Sequence, residues 1–197
     1  MQAPAPSRSA PPGKRERLIA AARQLLHEHG VESTTLADIA TAADIPLGNV
    51  YYYFKTKDAL VSAVIEAYGE AYATASTVLD RHRTPQGRLK ALIRTWTASR
   101  EQLARHGCPV GSLCSELDKR DEQLRAQAAA VLAQMLDWAQ EQFQALGRPD
   151  ARELAVALVA AYEGVALLAN TLHDPELITA EGRRLERWID SLAEPGH

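Results

Sequence analysis

The chain has 197 residues, of which 46% are hydrophobic and 24% charged, with two cysteines and a net charge of −3. This is enough sequence to bury a full core, and the composition excludes both a disulfide-stapled scaffold and a chain disordered throughout. The charge is unevenly placed: up to Lys57 there are seven basic and five acidic residues, and beyond it 15 against 20, so a small basic excess sits at the N-terminal end, where a nucleic-acid partner would need it.

Residues 1–13 are rich in Pro, Ala and Ser and read as a disordered tail in which Arg8 is solvated. A helix from about Lys14 turns Leu18, Ala22, Leu25 and Leu26 inward and ends at Gly30, read as a left-handed cap. Thr35 with Asp38 forms a capping box with Asp in place of Glu, so a second helix begins at Leu36 and carries Ile39, Ala40 and Ala43 on one face. Asp44-Ile45-Pro46 breaks that run, because proline disfavours helical geometry in the residue before it. The next helix, Leu47 to Phe54, packs Val50 and Phe54 onto Ile39 and Ala43. Gly48, Asn49, Tyr51 and Tyr52 are left facing outward or sideways. Such a face suits a major groove: glycine permits close approach, Asn pairs with adenine, and phenol hydroxyls bond phosphates. Thr56 caps a further helix and sets Lys55 and Lys57 beside free backbone amides where a phosphate would sit.

In these residues the chain resembles the tetracycline-repressor (TetR) family of bacterial transcription regulators. The resemblance is carried by Thr34-Thr35, Ile39-Ala40, Gly48-Asn49-Val50-Tyr51, Phe54, and Lys55-Thr56-Lys57 through Leu60. Two positions depart from the family pattern: Pro46 stands where a capping Ser is usual, and Leu47 where a phosphate-binding Lys is frequent. The resemblance implies a helix-turn-helix DNA-binding domain over residues 14–57, with Thr34, Thr35, Gly48, Asn49, Tyr51, Tyr52, Lys55 and Lys57 at the DNA. It further implies an effector-binding and dimerisation domain over residues 58–197.

In that second part the helix capped by Thr56 is long, with Val61, Val64, Ile65, Tyr68, Tyr72 and Leu79 on one side and an end near His82. Pro85 opens a helix carrying Leu89, Leu92, Ile93 and Trp96 that stops near His106-Gly107. A Gly107-Cys108-Pro109 segment, similar to one branch of the same family, leads into a brief helix through Leu117. Helices from Gln123 to Leu146, from a cap at Asp150 to Leu172, and from Thr179 onward complete an all-α chain of about nine helices. The apolar stretch 154–169 contains Glu163 and falls short of the roughly 20 residues a bilayer crossing needs, and no signal-peptide core is present, so a cytoplasmic protein is expected.

Because 154–169 is apolar nearly all round, one side should meet a second copy. A four-helix bundle in a homodimer is expected through Leu158, Tyr162, Leu185, Trp188, Ile189 and Leu192. The candidate effector walls are Tyr68, Tyr72, Trp96, Met135, Trp138 and Tyr162, with Glu163, Asn170 or His173 as polar contacts; their character favours a hydrophobic small molecule. Cys108, just before Pro109, reads as a helix-start thiol with a lowered pKa, which offers a redox-sensing alternative. An enzyme is disfavoured: no orienting acid joins His106 and the cysteine, no phosphate-cradling loop follows a strand, and no paired metal ligands stand at helical spacing. No cofactor or catalytic set is expected.

Overall fold

In a computed structural model, residues 12–117 and 121–193 are described, and they form helices with no strand among them. The expected tail lies outside the described residues except for Pro12 and Gly13. The elements are α1 Lys14–Ser33, α2 Leu36–Ala42, α3 Leu47–Tyr53, α4 Lys57–Leu79, α5 Pro85–Ala98, α6 Arg100–His106, α7 Pro109–Leu117, α8 Glu122–Ala145, α9 Ala151–Leu172 and α10 Glu176–Ala193. The helices read from sequence are all present; the expected fifth is broken at Ser99 into α5 and α6, giving ten segments.

Several helix starts are set by side-chain caps. Thr35 Oγ1 accepts from the Asp38 amide while Asp38 Oδ2 accepts from the Thr35 amide, closing the capping box. Thr56, Thr84 and Asp121 accept from Ala59, Gly87 and Leu124 amides at the starts of α4, α5 and α8. The turn between α2 and α3 depends on more than Pro46: Asp44 takes a left-handed φ of 51°, and the Ile45 amide reaches back to Ala40 O at 3.0 Å, so α2 ends in a Schellman-type closure.

Three boundary expectations are corrected. Gly30 does stop the first helix with a φ of 82°, but its ψ of 167° is not the left-handed cap; it is an extended, glycine-only conformation that turns the chain toward Thr34. Asp150 stands at the start of α9 without capping it, because both its oxygens accept from Arg148, each at 3.0 Å. α10 starts at Glu176 and not Thr179, since Asp174 Oδ1 accepts the Glu176 amide at 2.9 Å and extends the helix backward past Pro175.

α1, α2 and α3 make a small head around Leu18, Ala22, Ile39, Ile45, Val50 and Phe54, all buried. α4 runs from this head into a body in which α8, α9, α5 and α10 pack on one another. Trp138 Nε1 donates to Asp80 Oδ1 at 3.2 Å, fixing α8 against the end of α4. The last helix is held to α5 by Asp190, which accepts from Lys90 Nζ at 2.8 Å and Gln86 Nε2 at 2.7 Å, and by Glu186 with Arg94 at 2.8 Å. Head and body are also tied through α7 and the turn before it: Glu116 Oε2 accepts the Val31 amide at 2.6 Å, and His27 Nε2 lies 2.9 Å from Gly107 O, at the end of α6.

α9 extends beyond the 154–169 stretch to 22 residues and is long and apolar enough to cross a membrane by length and composition. In the fold it is a packing helix, with Ala155, Leu158, Tyr162, Ala166 and Ala169 sealed against its neighbours.

A Cβ at position 30 would stand 2.9 Å from Glu116 Oε1 in a backbone conformation that L residues avoid. Gly30→Ala is therefore expected to lower stability in urea unfolding by about 1–3 kcal/mol.

Candidate nucleic-acid interface and internal clefts

Val50 and Phe54 are fully buried, and the residues between them are forced onto the outer side of α3. Tyr52 is 76% exposed and Tyr51 47%. Tyr53, which the sequence reading left out of the contact set, is exposed too, with its ring edge-on to Tyr52 at 5.0 Å. Helical spacing alone does not find it, because Tyr53 stands three residues after the inward Val50 and so borders the buried face. Gly48 has open space where a Cβ would sit, and Asn49 is half-buried with its amide donating to Pro46 O. Thr35 and Lys55 are exposed. Lys57 is half-buried and its Nζ lies 3.3 Å from Glu32 O, so it leans on the end of α1.

One residue expected at the DNA, Thr34, and one basic residue of α1, Arg17, are used internally. Thr34 is 2% exposed and its hydroxyl donates to Gly30 O at 2.8 Å, so its side chain is a turn fastener and not a DNA contact. Arg17 donates to the carbonyls of Ala43 and Asp44, pinning α1 to the turn before α3. What the surface offers is a short, rigid helix with phenol hydroxyls, an open glycine and a flanking lysine, chemistry suited to phosphates and base edges.

The expected partner-facing residues are corrected most sharply. Leu158, Tyr162, Leu185 and Ile189 are buried inside the chain's own core, so they are not free to meet a second copy. Trp188 and Leu192 are half-buried, and Trp188 packs on Phe143 with ring centroids 5.9 Å apart. On α9 the exposed apolar side chains lie on the other side: Val156, Leu167, Leu168 and Leu172, with Leu167 66% exposed.

The candidate effector residues are divided among three places. Tyr68, Trp96 and Tyr162 line one cleft of about 790 Å³. In it Trp96 and Tyr162 stack at 4.2 Å, Arg23 lies over the Tyr68 ring at 4.4 Å, and α1 supplies a wall through Ile19 and His27. The cleft thus lies between head and body, where the expectation had been a site within the larger domain alone. Met135 and Trp138 are core residues of α8 and do not line it, nor does Tyr72, whose buried hydroxyl has no partner. Glu163 and Asn170 line a separate cavity beside α7, and His173 is an exposed left-handed residue closing α9.

Cys108 accepts the Gly111 amide at 3.4 Å at the start of α7, as its position suggested, but burial and then the nearby Glu163 push its thiol up to about 12. The expected lowering at a helix start is outweighed, and the thiol is a poor nucleophile. Burial raises Cys114 as well, with Glu163 adding to it.

Comparison with known proteins bears on both halves of the chain. Residues 18–64 match the family described as bacterial regulatory proteins, tetR family, and residues 85–183 match the C-terminal domain of LmrA/YxaF-like transcriptional regulators. An uncharacterized HTH-type transcriptional regulator of Mycobacterium tuberculosis is 30% identical over 194 residues, covering 92% of this chain and 96% of that one. The transcriptional regulator AcuR of Cereibacter sphaeroides is 33% identical over 165 residues, covering 77% and 74%. Among solved structures, the regulatory protein TetR from Rhodobacter sphaeroides superposes with a TM-score of 0.78 at 28% identity, over 88% of this chain and 97% of that one. A TetR-family regulator from Streptomyces coelicolor shares the fold with a TM-score of 0.81 at 19% identity, over 92% and 96%.

Tyr52→Ala is expected to weaken DNA binding by about 1 kcal/mol or more, the worth of a lost hydrogen bond, with an unchanged melting curve because the ring is exposed; unaltered affinity would contradict the outward face. For the thiols, alkylation followed by mass spectrometry should modify half-buried Cys114 before buried Cys108 at neutral pH. With the folded-state value raised, the Cys108 contribution to stability is complete below the ordinary thiol value of 9.0 and is lost as pH climbs toward about 12.

Proposed function

We propose that this chain, which belongs to the TetR family of bacterial regulatory proteins, is a cytoplasmic repressor that binds a near-palindromic operator as a two-fold dimer and is released by a hydrophobic small molecule. It is a DNA-binding transcriptional regulator and not an enzyme. The observation that carries the finer reading is the outward set Tyr51, Tyr52 and Tyr53 on a helix anchored by Val50 and Phe54. On this reading residues 14–57 read DNA, residues 58–197 bind effector and pair the subunits, and the Gly107-Cys108-Pro109 segment supports placement in the branch that carries it before the short helix. The partner-facing surface is the exposed stripe of α9, and the two recognition helices meet successive major grooves about 34–36 Å apart.

The effector site is the cleft walled by Tyr68, Trp96 and Tyr162. Since α1 forms its opposite wall, a ligand there touches the head directly and also bears on α4, through which the head joins the body. A ligand that favours a different angle between α1 and the body separates the two heads, so both no longer fit adjacent grooves. By linkage, DNA-bound dimer then binds that ligand more weakly by the same factor, with coupling of about 1–3 kcal/mol.

The reading is tested on the intergenic DNA beside the chain's own gene. Affinity should fall steeply with salt, by about 0.9 in log–log slope for each phosphate neutralised. Leu168→Asp, on the exposed stripe, should sediment as a monomer and bind that DNA roughly a hundredfold more weakly, because the avidity of two linked heads is lost; a variant that stays dimeric would refute the interface.

A further inference from the structure

A second cavity, of about 670 Å³, opens between α7 and α9 and shares no lining residue with the Trp96 cleft. Its described lining carries two carboxyl side chains, Glu116 and Glu163, together with the hydroxyls of Ser112 and Ser115 and the amide of Asn170, and no Lys, Arg or His. The two acids differ in what already holds them. Glu116 is committed, its Oε2 accepting the Val31 amide at 2.6 Å. Glu163 is held more weakly, by the Cys108 thiol: its Oε1 is shielded from solvent without any hydrogen-bond partner, and its Oε2 lies where a Cβ on Gly111 would come within 2.5 Å.

A buried carboxyl oxygen with nothing to accept from is costly, and burial shifts the group toward its protonated form. Rotation about the last side-chain bond is soft, so either oxygen can swing to the cavity without moving α9. What would complete this arrangement is a positively charged donor. An anion would face two carboxyl groups and no counter-charge. A metal ion lacks ligands, since among the described residues no three His, Cys, Asp or Glu side chains converge. Asn170 spends its Nδ2 on Ala104 O at 3.3 Å, which leaves its carbonyl oxygen free to accept, as the serine hydroxyls also can. Leu132 and Leu167 supply apolar wall for a hydrocarbon stem.

We propose that the α7–α9 cavity binds a small organic ammonium ion, with the Glu163 carboxylate as its counter-ion. Gly111 is the residue that makes room for that carboxylate, and Leu167 and Gly164 place the cavity mouth beside the exposed stripe of α9.

The test is calorimetry on the full-length protein with benzylammonium and with benzyl alcohol, which has nearly the same shape and no charge. Wild-type protein should bind benzylammonium at least about tenfold more tightly than the alcohol, a difference of about 1.4 kcal/mol. Glu163→Gln should erase that preference, and Gly111→Ala, which displaces the carboxyl group without removing its charge, should reduce it. Equal affinity for the two probes, no measurable binding of benzylammonium, or an undiminished preference in Glu163→Gln would each overturn the site. If Glu163→Gln does not fold, Gly111→Ala decides, and an unchanged preference in it overturns the proposal.

Discussion

The burial of Val50 and Phe54 one turn apart is the constraint on which the reading surface rests. α3 has seven residues, far fewer than an isolated helix needs for stability in water. It is helical because those two side chains are driven into the head against Ile39, Ala43 and Ile45, each fully buried apolar side chain being worth about 1.5–3 kcal/mol. With both anchors inside, helical geometry turns Tyr51 and Tyr52 outward and leaves Tyr53 at the edge of that face, 37% exposed. Arg17, by holding the carbonyls of Ala43 and Asp44, prevents the turn before α3 from opening. The exposed phenols are thus presented on a rigid element, which is what precise placement in a groove requires.

The same economy of contacts governs how the head meets the body. Apart from the α4 connection, the polar ties among the described residues include Val31 to Glu116 of α7 and His27 to Gly107, in the turn between α6 and α7. A net hydrogen bond contributes about 0.5–1.5 kcal/mol, so the two together are of the same order as a typical allosteric coupling of about 1–3 kcal/mol. Ties of that size are ones that the proposed ligand in the adjoining cleft would be able to offset.

How much of this was legible in the sequence depends on the range of the interaction. Caps act within three residues, and Thr35 and Thr56 stand at the helix starts read from local spacing, while Thr84 and Asp121 cap starts marked only by Pro85 and Gln123. Asp150 failed as a cap because an equally local competitor, Arg148, takes its carboxylate; α10 began early because Asp174 supplied a cap where only the break was read. The outward face of α3 was legible because two large apolar residues at helical spacing fix its orientation. The head-to-body ties were not, since Val31 and Glu116 are 85 positions apart and neither residue type announces a partner. The aromatic residues assigned to one effector wall separated for a related reason: Trp96 and Tyr162 stack at the cleft, whereas Trp138 is turned to Asp80 in the core, a choice that depends on helix rotation and not on residue type.

α9 shows where periodicity stops being informative. A helix apolar nearly all round must be covered on both sides, but its sequence does not say which side meets its own chain. Tertiary packing decides: Leu158 and Tyr162 go to the core, and the opposite side keeps Val156, Leu167, Leu168 and Leu172 in the open. Between these larger side chains the exposed side carries Ala160 and Gly164, and a Cβ at Gly164 would meet nothing within 4 Å. Large residues toward the ends and small ones in the middle form a shape that two copies can share about a two-fold axis, the small residues letting the helices approach where they cross and the leucines closing over each other on either side. On the proposed pairing through α9 the last helix has no need to offer an apolar stripe, and its outer surface is polar, with Arg183, Arg184 and Arg187 exposed.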